Sequence, residues 1–483
     1  MGDRSVTRNC GPDLVRVGAG LPVAAYRDEI TTALHGGRAV IVAPPGTGKT
    51  TFVPPLVASR CSGRVIVTQP RRVAARAAAR RLATLTGTRP GEFASHTVHG
   101  ESTTTRDTKV EFVTTGVLLR RLLSDPDLTG VDAVVLDEVH ERHLDADLVV
   151  AMVCEVAQLR DDLTIVAMSA TVDSSGWAAF LGGVEPAPVV EVASALHELE
   201  VEWAPAAGAA VESRGVSREF LGHLGTVTVD ALDRHTEGSA LVFVPGAREV
   251  DHVVADLRSR LAGIDVVGLS GAMSAREQDH ALSDPGNVRR VIVSTAVAES
   301  SLTVPGVRLV VDSGLSREPR LDRGRGMTGL VTVRESRASA VQRAGRAARL
   351  GPGVAVRCLR AQDWAGMNAD PTPEVDHADL VASLLSLAVW GSPRGEGMAL
   401  PTPLPQDRVA AAEEELRDLG AVDAEGRITA RGRHLATFPL DPRLARALTD
   451  GAAIIGSRRC AEIAAMLGLE DGQVDLVGQW RQL

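Results

Sequence analysis

The stretch "AVIVAPPGTGKTT", Ala39 to Thr51, decides how the rest of the chain is read. The run "AVIVA" has no polar alternation, as expected of a strand covered on both faces. The glycine-rich turn behind it leads straight into a helical stretch. Strand, loop and helix in that order let backbone N–H groups wrap phosphates. Gly46 and Gly48 allow a tight turn and a close approach to the oxygens. Thr50 offers its hydroxyl to Mg²⁺. Lys49 is a compact ammonium on a flexible stem, suited to act as a point charge between β- and γ-phosphates. The chain holds 52 Lys+Arg, and its two lysines are Lys49 and Lys109. A bulkier, directional guanidinium fits such a cradle poorly, which explains a lysine in an arginine-rich chain. A Gly/Pro turn that merely precedes a lysine is the competing reading, and the flanking strand and helix weigh against it.

The same alternation extends outward. "RVIVTQ", "KVEFVTT", "AVVLDE" and "LTIVAMSAT" follow "AVIVA", each trailed by an Ala/Arg/Leu-rich segment. Uninterrupted apolar strands separated by helices predict a parallel, doubly wound sheet. After a linker-like "WAPAAGAAVESRGVS" the pattern restarts with "ALVFVPGAREV", "IDVVGLSG", "RRVIVSTAVAES" and "VRLVVDSG", a second α/β domain over about 215 to 360. Beyond it, "DLVASLLSLAVWG", "RVAAAEEELRDLGAV" and "RLARALTDGAAII" have helical periodicity around a short "GRITARG" segment, which fits a small winged-helix and helical module. The closing "EDGQVDLVGQWRQL" shows no stop signal, so the chain is expected to end partway through a domain.

Composition narrows the function classes. At 483 residues about three domains of roughly 150 residues are expected. The net charge of −9 argues against non-specific coating of nucleic acid, so any polyanion must lie in a local basic groove. Aromatics at 3% disfavour base stacking on an aromatic sheet. The cysteines Cys10, Cys61, Cys154, Cys358 and Cys460 have no paired ligand spacing, which disfavours zinc and disulfides. The N-terminus lacks a signal-peptide core, and a cytoplasmic protein without membrane partners is expected.

Two further constellations carry chemistry. In "AVVLDEVHER" an acid after a buried strand, Asp137, can reach the Mg²⁺ held by Thr50, and Glu138 can polarise the attacking water. Taken alone this would be a solvated charge run, and His140 a structural histidine. In "QRAGRAARLGPG", Gln342 stands beside Arg343, Arg346 and Arg349 at spacing three, predicted to share one helical face, which by itself could be a solvated basic face. Belonging to the second domain, they can reach across a cleft to a γ-phosphate, where such arginines contribute about 10³–10⁵ in rate.

Taken together, the segments resemble a superfamily 2 helicase of the DEAH-box type, from about Leu21 onward. "APPGTGKTT" resembles motif I, "TQPRRVAAR" motif Ia, "VTTGVLLRRL" motif Ib, "DEVHER" motif II and "MSAT" motif III. "LVFVPG" resembles motif IV, "STAVAESSLTVPG" motif V and "QRAGRAAR" motif VI. The order is the family's order. "LPVAAYRDEI" and the stretch from "VDSGLSREPR" to "VQRAGR" are similar to the bacterial HrpB branch. The resemblance implies two tandem RecA-like doubly wound parallel-sheet domains at 21–195 and 196–365. A flexible 1–20 would precede them. A winged-helix-like domain at 366–440 and the start of a helical bundle at 441–483 would follow.

It implies ATP and Mg²⁺ as cofactors. Ala43, Pro44, Pro45, Gly46, Thr47, Gly48, Lys49, Thr50 and Thr51 would form the cradle, with Arg81 on the base. Thr50, Asp137 and Glu138 would lie at the metal. Gln342, Arg346 and Arg349 would complete the site, and His140, Ser169 and Thr171 would couple it to domain closure. Arg71, Arg72, Thr115 and Thr303 would contact the nucleic-acid backbone; a basic pair facing water is the alternative for Arg71 and Arg72. Departures from the family pattern are Ala43, Ala296, Pro305 and Ala348.

The implied activity is ATP-driven translocation of a monomer, 3′ to 5′, on single-stranded or partly duplex RNA, with unwinding. A DNA-directed helicase stays open, as does an RNA-stimulated clamp or assembly factor. Ser316 to Arg349 carries nine arginines against Glu318, Asp322 and Glu335. Its "REPRLDRGRGMTGLVTV" part reads as a hairpin, either a strand-separating wedge or an arginine-rich surface loop.

Overall fold

The computed structural model describes residues 12–467, except 171–173, 194–196, 214, 285, 287, 300–303 and 323–326; the side chains of 321, 322, 327 and 328 are also left aside. Thr171 and Thr303 therefore lie outside the described residues, as does the end of the last expected domain. Two compact units are distinguished. One comprises Met1–Arg142, Val153–Glu318 and Leu330–Thr372; the other comprises His143–Met152, Pro319–Gly329 and Pro373–Leu483.

Both large sheets belong to the first unit. The strands of the first are β1 (Arg38–Val42), β2 (Arg64–Gln69), β3 (Ala94–Val98), β4 (Glu101–Ser102), β5 (Val110–Thr114), β6 (Val131–Leu136), β7 (Thr164–Ser169) and β8 (Val189–Glu191). They lie in the order β4-β3-β5-β2-β6-β7-β1-β8, parallel except for the β3–β4 pair. Ile41, Val65, Val67, Val135 and Val166 pack with Phe52, Val53, Leu56, Ala75 and Leu82 of the covering helices, all nearly inaccessible. At about 1.5–3 kcal/mol per large buried side chain, this core holds the sheet without staples.

The second sheet contains β9 (Leu199–Trp203), β12 (Ser239–Phe243), β13 (Asp265–Leu269), β14 (Arg290–Ser294), β15 (Val307–Asp312) and β18 (Gly353–Arg357). Its order is β13-β14-β12-β15-β18-β9, parallel throughout. Between β9 and β12 lie the short pair β10 (Val211–Glu212) and β11 (Gly215–Val216). β16 (Leu315–Asp322) and β17 (Met327–Arg334) pair as a two-stranded sheet where a hairpin is expected; the residues that join them lie outside the described ones. The two α/β halves meet along the helix Arg72–Thr86. Its Val73 and Ala74 are buried among Leu241, Phe243, Leu269 and Ile292 of the second sheet, and its Arg80 pairs with Asp279.

The second unit is mainly helical, with Val381–Trp390, Gln406–Asp418, Ala430–Ala436, Pro442–Ile455 and Ser457–Leu467. "GRITARG" contributes an antiparallel bridge, Val422 to Ile428, ahead of Ala430–Ala436. Arg443 ties the unit together through Asp379 at 2.5 Å, Asp441 at 3.1 Å and Glu415.

One expectation fails locally. The helix carrying Arg343 spans Arg337–Ala344 and stops there, so Arg346 and Arg349 lie in the turns beyond it. The three arginines share no helical face, and Gly345 follows as the cap.

Candidate active site

At the end of β1 the chain turns through Pro44–Gly48. Gly46 and Gly48 have φ of +92° and +87°, a region that disfavours any side chain bearing a Cβ. A Cβ on Gly48 would also strike Leu21 at 2.8 Å, and Val23 N–H donates to Thr47 O at 3.1 Å. The "LPVAAY" segment thus braces the loop from below. Ala43, fully buried, receives the loop's base, and its N–H donates to Ser169 O at 2.9 Å. The helix Lys49–Ala58 then starts with Gly48 as its N-cap.

Lys49 and Glu138 are both buried and meet at 3.0 Å. Lys49 Nζ also lies 3.5 Å from Ala43 O. Thr50 Oγ1 donates to Asp137 Oδ2 at 2.7 Å, and Gln69 Nε2 donates to the same oxygen at 2.6 Å. Asp137 N–H donates to Thr68 Oγ1 at 3.1 Å. Glu138 sits at φ +56°, a strained value for a residue with a side chain. Burial and the neighbouring Glu138 push the Asp137 carboxyl up. Burial also opposes the Glu138 charge, but Lys49 and then His140 pull its carboxyl below the ordinary range. His140 accepts the Ala170 N–H at its Nδ1, 3.2 Å away, and burial lowers its basicity. This bond links the acidic turn to the "MSAT" segment.

The second domain supplies the opposite wall. A Cβ on Gly46 would stand 3.3 Å from Arg349 Cδ, so Arg349 lies against the glycine loop. Burial pushes the Arg349 guanidinium down to about 10, with Glu138 pulling the other way. Burial and the charge of Arg349 also depress Arg346. Among the described residues, Arg349 Nη2 and Gln342 Nε2 are buried without a hydrogen-bond partner. Arg346 Nε donates to Glu299 O at 2.9 Å. Desolvated guanidiniums, orphaned donors and a cradle that a Cβ would fill together make a pocket for a polyanion. The Thr50–Asp137 pair offers only oxygens, the donor type Mg²⁺ takes, so these residues fit that ion.

Other expected residues lie elsewhere. Arg81 is exposed and makes no hydrogen bond or ion pair among the described residues. Arg72 is exposed at the first position of its helix, and Thr115, half-buried, opens the helix Thr115–Ser124. Arg71 is ion-paired to Glu141 at 3.0 Å. Arg343 belongs to the second domain's interior: fully buried, it pairs with Glu299 at 2.8 Å, Asp312 at 3.1 Å and Glu335 at 2.5 Å. Gln69, Thr68 and Glu299 were not singled out from the sequence. Gln69 and Thr68 precede "PRR" at the end of β2, beside β6, so adjacency of the two strands is the signal that places them at Asp137.

A glycine loop with its lysine, an acidic turn, and arginines supplied by a second parallel-sheet domain define a helicase core. The family model described as "DEAD/DEAH box helicase" matches residues 26–177, and "Helicase conserved C-terminal domain" matches 224–351. "Helicase associated domain (HA2), winged-helix" matches 412–440. The chain belongs to the DEAH-box helicases, and its similarity within them is of the HrpB type. It is 37% identical over 454 residues to the ATP-dependent RNA helicase HrpB of Escherichia coli (strain K12), covering 92% of this chain and 54% of that protein. It is 32% identical over 468 residues to the human probable ATP-dependent RNA helicase DHX34, covering 95% and 40%. A crystal structure of Escherichia coli DEAH/RHA helicase HrpB superposes with a TM-score of 0.86 at 36% identity, over 96% of this chain and 58% of that one. The chain thus spans about half the length of these relatives.

Proposed function

We propose that this chain is the motor core of an ATP-dependent RNA helicase. The observation that carries the reading is Arg349 of one α/β domain lying against the glycine loop of the other, above the Lys49–Glu138 pair. Triphosphate binding there would exchange the lysine's internal partner for phosphate oxygens and free the Glu138 carboxylate to orient the attacking water. Thr50 and Asp137 would hold Mg²⁺, which supplies charge neutralisation at the phosphates. Arg346, Arg349 and Gln342 would stabilise charge on the transferring group from the second domain, so turnover requires both halves. His140, with Ser169 and Thr171, would report nucleotide state. RNA would be held by its backbone, through Arg72, Thr115 and Thr303, and stepped 3′ to 5′ with little sequence preference.

Relatives whose names read ATP-dependent RNA helicase support RNA as the substrate. The domain division 21–195, 196–365, 366–440 and 441–483 belongs to this reading, as do a monomeric state and a cytoplasmic location. Among the described residues no helix is long and apolar enough to cross a membrane.

The test is the ATPase rate with and without single-stranded RNA, for wild type and Lys49→Ala. RNA should accelerate wild type, and the substitution should lower kcat by about 10²–10³-fold. Hydrolysis indifferent to both would refute the reading. A strand-displacement assay with a 3′ overhang separates a helicase from a clamp, which would hydrolyse ATP and displace little.

A further inference from the structure

Arg71 and Glu141 meet at 3.0 Å with both side chains mostly buried, although 70 positions separate them. Each stands at the start or end of a segment that matters to the site. Arg71 is the extended N-cap residue of the helix Arg72–Thr86, and exposed Arg72 follows it. The same helix buries Val73 and Ala74 against the second domain and pairs Arg80 with Asp279. Glu141 closes the single 3₁₀ turn Val139–Glu141, whose N-cap is Glu138, and its N–H donates to Glu138 O at 3.0 Å. The turn is bracketed by Glu138 and Arg142, at φ +56° and +55°. A backbone held that way has few alternative conformations, so a pull on the Glu141 side chain is delivered to Glu138.

The charges reach the same places. The Glu141 carboxylate acts on Glu138 and His140, and the Arg71 guanidinium acts on Arg346. The pair therefore stands where the acidic turn, the arginine wall and the start of the helix Arg72–Thr86, with its exposed Arg72, converge.

We infer that the Arg71–Glu141 ion pair is a positioning element that ties RNA occupancy at the start of the helix Arg72–Thr86 to the orientation of Glu138. Arg71 acts through Glu141, and the backbone contact with RNA at this helix falls to Arg72. The inference rests on the helicase reading and refines it. Arg71 is mostly buried against Glu141 while Arg72 is exposed, so Arg72 is the one of the two that is open to phosphate.

The experiment compares Arg71→Ala, Glu141→Ala, the double variant and the charge exchange Arg71→Glu/Glu141→Arg in the full chain. Readouts are the ratio of RNA-stimulated to basal ATPase, and the affinity for a fluorescently labelled single-stranded RNA. Both single substitutions should lower the stimulation ratio by about 3–30-fold, the range expected for coupling residues. The double should be no worse than either single, and the exchange should recover most of the loss. RNA affinity should change by less than the stimulation ratio in all four. Where an alanine variant fails to fold, Arg71→Lys and Glu141→Gln supply the same comparison, the first keeping the pair and the second breaking it.

The inference is overturned if Arg71→Ala weakens RNA binding tenfold or more while Glu141→Ala leaves stimulation intact. It is equally overturned if the two losses multiply in the double variant. Loss of RNA stimulation in the wild-type chain itself would instead strike the helicase reading, and is recognised because it precedes any substitution.

Discussion

At the end of β1 the chain turns through Pro44–Gly48 with two glycines at positive φ; at the end of β12 it turns through Val244–Gly246 with Gly246 extended, at φ −151°. Both turns join a central parallel strand to a helix, Lys49–Ala58 in one half and Ala247–Arg260 in the other. The first leaves its concave side to a lysine and to a guanidinium from the other domain. In the second, the space beside Gly246 is taken by Arg317, which bonds Glu249 at 3.1 and 3.2 Å. Strand–turn–helix architecture is thus common to both halves. The site arises where glycines at positive φ hold the turn open; in the second turn the corresponding space is filled by a side chain from the same domain.

Two arginines from one short segment sharpen this division between chemistry and architecture. Arg349→Ala should lower RNA-stimulated kcat by about 10³-fold or more, with little change in melting temperature, since Arg349 Nη2 has no hydrogen-bond partner among the described residues. Arg343→Ala should destabilise the second domain by about 3–5 kcal/mol, because Glu299, Asp312 and Glu335 would be left buried around an absent cation. Urea unfolding and steady-state ATPase on the two variants check this. Equal losses of stability would break the contrast.

The two turns give a finer comparison. Gly46→Ala imposes a side chain at φ +92° and presses on Arg349, so ATPase should drop by about 10–100-fold. Gly246→Ala imposes no backbone strain, and its Cβ meets the ends of the Arg317 and Glu249 side chains, which can shift. A stability loss of about 1 kcal/mol with unchanged turnover is expected. If Gly246→Ala were the more damaging to turnover, the second turn would have to be part of the site.

How much of this was legible in the sequence follows from which interactions are local. The strands β1, β2, β5, β6, β7 and β12–β15 announce themselves as short, mostly apolar β-branched runs, as strands of a sheet covered on both faces do. The short or polar strands β3 ("ASHTV"), β8 and β9 ("LEVEW") carry no such signal and exist because a neighbour offers its edge. The cradle was legible because glycine spacing and Lys49 lie within a few residues of each other. The fates of Arg343, Arg346 and Arg349 were not, since periodicity predicts one helical face while the helix ends at Ala344. What separates them is the arrival of Glu299, Asp312 and Glu335 from other segments. The Arg71–Glu141 pair is equally silent in sequence, as its members meet only once β2 lies beside β6.

A last comparison tests the halves through pH. Each buries a glutamate among arginines, in opposite charge balance. Glu111 is held by Arg64 at 3.0 Å and by both arms of Arg121, at 3.0 and 2.8 Å. Burial opposes its charge, but Arg121, Thr97 and Arg64 bring the carboxyl below the ordinary value. Glu335 shares the Arg343 guanidinium with Asp312 and Glu299, and burial raises its carboxyl well above the ordinary value. The Glu111 contribution is therefore complete above the unfolded value of about 4.3 and is lost as pH falls through the lower folded one. Glu335 runs the other way: raising pH from the unfolded towards the folded value weakens the native state, because the folded form holds the proton longer. Glu111→Gln should thus cost about 1–3 kcal/mol at pH 7, shrinking on acidification below pH 4. Glu335→Gln, which mimics the protonated acid, should cost less at pH 7 and show less pH dependence than wild type. Melting curves from pH 3.5 to 8 decide it: parallel profiles for the two glutamine variants would mean that charge balance does not distinguish the two interiors.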